Sequence, residues 1–307
     1  MSGPLLRGPI LALTDMPAVR KLVTGTRLGR HVAHRFVAGE SLEEGLRAGR
    51  GLAREGIKTM LDHLGENVTS TAQASAAADT YVLAVKRLHE EPDLDGNISI
   101  KLTQLGLDPS FDACLENTER VAAAAAERDM LVMIDMESHE YVDGTLQTLR
   151  SLAKRYGNVG VALQSYLYRT AEDIFALPDG VPVRLVKGAY LEPESVAYRT
   201  REEVDEAFTR LFSTLASRGH PVHIATHDPR LLEGACRYID RKGIPWEGIE
   251  IQMLYGIRRD LQEWYAERGY PVRAYIPYGE QWYPYLTRRL AERPANMWFF
   301  ASNLARR

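Results

Sequence analysis

Charged side chains in this 307-residue sequence stand at or near the ends of short apolar runs, where they could bind an anion or move a proton. NISIKL carries Lys101, LVMIDME carries Asp135, and VRLVKGAY carries Arg184 and Lys187. A buried ion without a partner costs several kcal/mol, so each of these residues needs either a neighbouring charge or a ligand. At any one position both explanations stay open.

Further polar side chains stand at or near the ends of these and other apolar runs. These residues are Asp62, Glu66, Glu137, Gln164, Tyr190, His223, Thr226, His227, Gln252, Arg273 and Tyr275. If the runs are neighbouring parallel strands, their polar ends meet on one side of the fold. A shared location of this kind favours one large polar ligand over many independent charge pairs.

Two adjacent arginines, Arg288 and Arg289, lie in the amphipathic helical pattern of YPYLTRRLAER. Neighbours on a helix diverge by about 100°, so both cannot occupy the middle of one face. One interpretation is an exposed helix with an Arg288–Glu292 pair, which would contribute only a few tenths of a kcal/mol. The alternative is a small carboxylate held between the two diverging guanidinium groups.

Eight β-rich runs alternate with helical patterns and would position these side chains. The runs lie near residues 57–62, 97–102, 130–136, 158–163, 182–187, 221–226, 249–253 and 272–276. Such alternation predicts an α/β fold, a (β/α)8 barrel over residues 57–307 with its chemistry at the C-terminal strand ends. Residues 1–56 form an N-terminal helical segment in this interpretation, with Ser41 as a candidate N-cap.

Composition and spacing disfavour several other functions. The net charge of −3 supplies no chain-wide positive field, which disfavours nucleic-acid binding. Cys114 and Cys236 are far apart, which suits a reducing compartment. Neither GxGxxG after a strand nor GxxxxGK[ST] occurs, and DMESHE lacks HExxH, so no Rossmann, P-loop or metal site is predicted.

The sequence also predicts a location. No run reaches the roughly 18 apolar residues that span a bilayer, and no secretory signal pattern opens the chain. We expect a cytoplasmic protein, and a peripheral contact with the inner face of the cell membrane stays open.

Six segments occur in a recognisable order: IKLTQLG, MLVMIDME, RLVKGAYLEPES, IATHD, EIQMLYG and YIPYGEQWYPYLTRRLAER. With them the chain, from about Val19 onward, resembles the proline dehydrogenases, FAD-dependent enzymes that oxidise L-proline to Δ1-pyrroline-5-carboxylate. VKGAY together with YLTRRLAE is specific for this resemblance, whereas either alone is much less so. The resemblance implies a distorted barrel whose last helix lies over the mouth, with FAD at the strand ends and proline beneath that helix.

The resemblance further implies a substrate pocket. Arg288 and Arg289 would clamp the proline carboxylate, with Lys101 as a third cation. Glu66 would act as a gate by pairing with the first arginine of the doublet. The remaining pocket residues that the family implies are Tyr275, Leu254 and Glu292.

The catalytic and cofactor residues come from the resemblance as well. Asp135 would be the active-site carboxylate, and Arg184 would contact the flavin N5 region. The further flavin contacts would be Met136, Gln164, Val186, Lys187, Gly188, Ala189, Thr226 and His227. Leu191 departs from the family pattern, because bifunctional relatives carry a tryptophan beside the flavin at that position.

Partners follow from the same resemblance. The family implies hydride transfer from C5 of proline to flavin N5 and a quinone as the electron acceptor. Because 307 residues leave no room for the fused aldehyde dehydrogenase of the bifunctional members, we expect a separate pyrroline-5-carboxylate dehydrogenase. Two other functions stay open: a Schiff-base aldolase that uses Lys101 or Lys187, and a non-catalytic ligand-binding barrel.

Overall fold

Eight parallel strands close into a barrel in a computed structural model that describes residues 33–292, with side chains described as far as Arg289. Each strand pairs with the next, and β1 pairs with β8 to complete the ring. The strands are β1 (Lys58–His63), β2 (Gly96–Ile100), β3 (Val132–Ile134), β4 (Val159–Gln164), β5 (Val183–Val186), β6 (Val222–Ala225), β7 (Glu250–Leu254) and β8 (Val272–Tyr278). The predicted barrel is confirmed.

Helices connect the strands and surround them. Within the described residues these are α1 (Leu42–Ala53), α2 (Thr71–His89), α3 (Phe111–Ala126), α4 (Val142–Ala153), α5 (Thr170–Phe175), α6 (Arg201–Ser217), α7 (Pro229–Lys242), α8 (Arg259–Ala266) and α9 (Trp282–Glu292). A 3-10 turn at His139–Tyr141 precedes α4. Across residues 33–292, no helix combines the length and apolarity needed to cross a membrane.

The strands match the predicted runs because nearly all their residues are buried, as expected for parallel strands covered by helices. β3 is the exception, since it spans only Val132–Ile134 where residues 130–136 were expected. The chain leaves the ladder at Asp135, although its N–H still donates to Ile100 O at 2.8 Å. Asp135 therefore stands at the start of the mouth.

Helix α1 packs on the outside of β1 and β8 and is part of the barrel wall. A capping box between Ser41 and Glu44 starts it, as the sequence suggested. Gly45 allows close approach, since a Cβ there would lie 3.3 Å from the Tyr278 ring. The part of the predicted helical segment before Ala33 lies outside the described residues, and the division of the chain at residue 56 stays a prediction.

Helix α9 packs away from the main barrel core, in a second apolar cluster. Trp282, Tyr283, Tyr285 and Leu286 share this cluster with Leu64, which follows β1, and with Ala33, Phe36 and Val37 ahead of α1. Because Leu64 lies just beyond the C-terminal end of β1, the cluster places α9 on the side where the strands end. The expected position of the last helix at the mouth is confirmed.

Candidate active site

Asp135 is the centre of a hydrogen-bonded group formed by four strands or their ends. Its Oδ1 accepts from Arg184 Nη1 at 2.5 Å and from the Ser99 hydroxyl at 2.8 Å. Its Oδ2 accepts from the Tyr275 hydroxyl at 2.7 Å. The Arg184 guanidinium lies over the Tyr275 ring, with Cζ 5.2 Å from the centroid. The sequence-predicted residues Asp135, Arg184 and Tyr275 thus form one unit.

The environment fixes the protonation of this unit. Burial raises the pKa of Asp135, but Arg184 and Lys101 outweigh it, so the pKa lies below its ordinary value. Burial, followed by the charge of Asp135, holds the pKa of Tyr275 well above its ordinary value. Asp135 is therefore an ionised acceptor, and Tyr275 is a neutral donor.

Lys101 lies beside this unit and is held mainly by Asp62. Its Nζ donates to Asp62 Oδ1 at 2.7 Å and Oδ2 at 2.9 Å, and to the Tyr275 hydroxyl at 3.3 Å. Asp135 Oδ2 is 3.6 Å away. Burial lowers the pKa of Lys101, but Asp62 and Asp135 outweigh it and the net shift is upward. A Schiff-base lysine needs the opposite shift, which argues against Lys101 as the lysine of an aldolase.

Arg184 is also held by a chain of hydrogen-bonded polar side chains buried inside the barrel. Its Nε donates to Gln252 Oε1 at 2.6 Å, and Gln252 Nε2 donates to Glu250 Oε1 at 2.5 Å. Arg273 Nε donates to Glu250 at 2.8 Å. Burial lowers the pKa of His223 to about 4, so the imidazole is neutral and its Nδ1 can accept from Gln252 Nε2 at 2.9 Å.

The two adjacent arginines of α9 make different contacts. Arg288 donates from Nη1 and Nη2 to the two carboxylate oxygens of Glu66, at 2.7 and 3.0 Å. Burial lowers the pKa of Arg288, but Glu66 outweighs it and the net shift is upward. Arg289 lies over the ring of Tyr285 in its own helix, with Cζ 5.3 Å from the centroid. The side chain of Glu292 lies outside the described residues, so its expected role stays a prediction.

Two residues that the resemblance assigns to the flavin lie at the ends of β3 and β4. Met136 is buried directly after Asp135. Gln164 Nε2 donates to the backbone oxygen of Glu137 at 2.9 Å. Burial raises the pKa of Glu137 to about 7, although Thr103 donates to both of its carboxylate oxygens.

The end of β5 and the turn after it contain four more residues that the resemblance assigns to the flavin. Val186, Lys187, Gly188 and Ala189 are all half-buried, in contrast to the buried residues of the strand before them. Gly188 has a φ of 123°, and a Cβ there would lie 2.4 Å from the Tyr166 ring, so only glycine fits. These four residues are therefore partly exposed at the end of β5.

Lys187 belongs to a cluster of ion pairs at the ends of β5 and β6. Its Nζ contacts Asp205 and lies 3.5 Å from Asp228 Oδ2. Asp228 also accepts from Arg201 at 2.6 Å and from Arg230 at 3.1 Å. Three cations thus share two carboxylates in these ion pairs at the ends of β5 and β6, and the Glu202 carboxylate also acts on Arg230.

Thr226 and His227 follow β6 and make local contacts. The Thr226 hydroxyl accepts from Asp228 N at 3.2 Å, at the start of α7. His227 Nε2 accepts from Leu254 N at 3.0 Å, at the end of β7. An accepting Nε2 requires a neutral ring with its proton on Nδ1. His227 thus links the end of β6 to the end of β7.

The predicted residues occupy two halves of one mouth. One half contains Glu66 in the loop after β1, Lys101 just after β2, Tyr275 on β8 and the doublet on α9. The other half contains the residues assigned to the flavin at the ends of β4, β5 and β6. Asp135 and Arg184 join the halves. Most strand-end charges satisfy one another, however, so the burial cost does not by itself require a ligand, and that argument from the sequence was too strong.

Three contributors to the site had no role assigned from the sequence. They are Ser99, Gln252 and Asp62. Ser99 stands two residues before Lys101 on β2, and this period-2 spacing was the available signal that it faces the same interior. Among the described residues, no three His, Cys, Asp or Glu side chains converge in a group that could hold a metal ion.

Comparison with known proteins identifies the class. Residues 46–302 match the family described as proline dehydrogenase. A proline dehydrogenase of Deinococcus radiodurans is 40% identical over 310 residues, covering 99% of both chains. Proline dehydrogenase 1 of Bacillus subtilis strain 168 is 36% identical over 306 residues, covering 99% of this chain and 100% of that one.

A solved structure agrees with the sequence relatives. The crystal structure of proline utilization A from Bdellovibrio bacteriovorus, inactivated by N-propargylglycine, superimposes with a TM-score of 0.80 at 26% identity. The match covers 90% of this chain and 34% of that longer one. The chain belongs to the proline dehydrogenase family and is an oxidoreductase.

Proposed function

We propose that this protein oxidises L-proline to Δ1-pyrroline-5-carboxylate with bound FAD, by transfer of a hydride from C5 to flavin N5, and passes the electrons to a quinone. Membership of the family supports the reaction. The observation that carries the proposal is the contact of Asp135 with both Tyr275 and Arg184, at 2.7 and 2.5 Å. These contacts join the proposed substrate half of the mouth to the proposed cofactor half.

The residues present fit FAD. Lys187, Arg201 and Arg230 lie together at the ends of β5 and β6, where their cations would pair with the anionic pyrophosphate. The half-buried residues Val186–Ala189, at the end of β5 and just after it, leave part of their backbone exposed on the side where the strands end. FAD, when bound, supplies the hydride acceptor.

Arg184 would stabilise the negative charge that develops during the reaction. Its guanidinium is fixed by Asp135, Ser99 and Gln252, at 2.5, 3.0 and 2.6 Å. A fixed charge needs no reorganisation when the transition state forms, and in a buried site it acts more strongly than in water. Asp135 would serve this role by orienting Arg184.

The substrate carboxylate would be held by Arg288 and Arg289, with Lys101 as a third cation. Three cations fix the position of the ring and so contribute mainly through orientation. They also favour the neutral amine form of proline, because nearby positive charge promotes loss of the amine proton. Lys101 and Tyr275 both keep their own protons, since each pKa is shifted upward, so neither is the base.

A second enzyme would use the product, and a quinone would accept the electrons. This chain matches 34% of proline utilization A from Bdellovibrio bacteriovorus. We propose that a separate pyrroline-5-carboxylate dehydrogenase carries out the second oxidation and that a quinone at the inner face of the cell membrane reoxidises the enzyme by peripheral contact.

The visible spectrum tests the proposal directly. Purified protein loaded with FAD should lose its flavin absorption when L-proline is added without oxygen, and glycine should leave the spectrum unchanged. A soluble quinone should then restore the absorption faster than air does. An unbleached spectrum with FAD bound would contradict the proposal, and trapping on a substrate by borohydride would favour the aldolase instead.

A further inference from the structure

The loop between β1 and α2 carries Glu66, and a residue from a different strand end holds it in place. The N–H of Asn67 donates to the Thr103 hydroxyl at 3.2 Å. The N–H of Val68 donates to the Thr103 backbone oxygen at 3.1 Å. Two successive backbone donors directly after Glu66 thus end on Thr103.

The loop has little freedom next to Glu66. Asn67 has a φ of 56°, a left-handed conformation that asparagine tolerates better than most residues. On the other side, a Cβ at Gly65 would lie 2.4 Å from Gln104 Nε2. The backbone on both sides of Glu66 is therefore fitted to the segment that follows β2.

Thr103 is itself anchored by Glu137. The Thr103 hydroxyl donates to Glu137 Oε1 at 2.6 Å, and its N–H donates to Oε2 at 3.1 Å. A hydroxyl has only one proton, so the Thr103 oxygen that donates to Glu137 must accept at Asn67. Both Thr103 and Glu137 are buried, and the backbone oxygen of Glu137 is held in turn by Gln164.

These contacts form a continuous path from the barrel to the last helix. It runs from Glu137 after β3 through Thr103 and Asn67 to Glu66, which pairs with Arg288 of α9 at 2.7 Å. We propose that Thr103, anchored by Glu137, is a positioning residue that directs Glu66 at Arg288. It thereby sets how firmly α9 closes over the mouth and, given the proposed function, how tightly proline is held.

The direct test removes only the Thr103 hydroxyl. Thr103→Val keeps the shape and the two contacts made by the Thr103 backbone, and it should raise KM for proline at least three- to tenfold, because it removes the two hydrogen bonds of the hydroxyl, to Glu137 and from Asn67. The value of kcat should change less than twofold, and Thr103→Ser should restore the wild-type KM. Thr118→Val is the matched control, because the Thr118 hydroxyl is equally buried but bonds only within α3.

A double-mutant cycle separates positioning from general damage. In a Glu66→Gln background the Thr103→Val change should add little further to KM, because the carboxylate that pairs with Arg288 is gone. If the change multiplies KM equally in both backgrounds, the proposal is overturned. Glu137→Gln serves as a second variant should Thr103→Val not fold, and it should raise KM in the wild-type background only.

Amide hydrogen exchange tests the same proposal without any activity. Residues of α9 should exchange faster in Thr103→Val than in wild type, to about the extent seen in Glu66→Gln. The Thr118→Val control should leave exchange in α9 unchanged. This result is independent of proline, so a failure of the proposed reaction and a failure of the positioning role can be told apart. Unchanged α9 exchange in Thr103→Val would overturn the positioning role.

Discussion

Arg288 in the last helix and Glu66 after the first strand are 222 positions apart in the sequence, yet they form a two-pronged ion pair at 2.7 and 3.0 Å. A guanidinium has five N–H donors, and this pair occupies one on each of two nitrogens. The other three donors can serve a substrate carboxylate while α9 stays closed. The ion pair and substrate binding are thus compatible in one geometry.

The first prediction concerns the arginine doublet. Arg288→Met and Arg289→Met should each raise KM for proline at least tenfold, because each would lose a charged hydrogen bond to the carboxylate. The content of FAD should stay unchanged, since neither residue lies in the proposed cofactor half. Steady-state kinetics and the flavin-to-protein ratio measure both effects.

Arg237→Met is a suitable control for the doublet variants, because Arg237 is an exposed arginine of α7. An unchanged KM in both doublet variants would rule out the carboxylate clamp. The double variant Glu66→Gln/Arg288→Met should be less impaired than the product of the two single effects, because the residues contact each other.

The barrel was readable from the sequence because its signal is local. Runs such as VGVALQ are buried along their whole length, so apolar continuity alone locates β4. The mouth was readable for a related reason, since Asp135 follows β3 directly and Arg184 is a charged residue inside the otherwise apolar β5. The residues alone did not reveal which side chains form hydrogen bonds or ion pairs with one another.

Lys101 shows why pairing was hidden. The sequence left open whether it meets a ligand or a buried charge, and its carboxylate partner Asp62 is 39 positions away. The parallel pairing of β1 with β2, in which Asp62 stands opposite Ser99, brings the two side chains together. The sequence also did not reveal that α1 is part of the barrel wall. That role depends on close packing against both β1 and β8, which are far apart in the sequence.

The second prediction tests the Lys101–Asp62 pair through stability. Lys101→Met leaves the fully buried Asp62 carboxylate without its main partner, which should lower the free energy of unfolding by about 3–5 kcal/mol. Lys101→Met combined with Asp62→Asn removes both charges and should recover much of the loss. Urea unfolding compares the two variants, and equal losses would mean that the pair is not the cause.

The third prediction concerns Arg184. Its substitution by Met should lower the rate of flavin reduction by about 10²- to 10³-fold, the effect of losing one preorganised charge stabiliser, or it should loosen FAD. Asp135→Asn should act in the same direction but less strongly, because it frees the guanidinium without removing it. Stopped-flow reduction by proline measures the rate. A wild-type rate with full flavin in Arg184→Met would refute the role.

The fourth prediction is a pH dependence set by Glu137. Burial raises its pKa to about 7 from an ordinary value of 4.5. The folded protein therefore binds more protons than the unfolded chain between these values, and its stability falls as the pH rises through this window. At 1.36 kcal/mol per pKa unit, the contribution is about 3 kcal/mol, present at low pH and lost above about pH 7.

Glu137→Gln cannot titrate and should lack this dependence. Urea unfolding at pH 5 and pH 8 should give a larger loss of stability for the wild type than for the variant. Glu233→Gln, at an exposed position in α7, should follow the wild type. Parallel curves for the wild type and Glu137→Gln would show that Glu137 has an ordinary pKa.

The last prediction uses two glycines of α1 that differ only in what they face. A Cβ at Gly49 would lie 2.9 Å from the Thr59 hydroxyl in β1, whereas a Cβ at Gly51 would meet nothing within 4 Å. Gly51→Ala should stabilise the protein by about 0.5–1 kcal/mol through the helix propensity of alanine. Gly49→Ala should instead destabilise it by roughly 1–2 kcal/mol, because overpacking outweighs that gain. Thermal unfolding of the two variants gives the sign directly, and stabilisation by both would mean that α1 does not press on the strands.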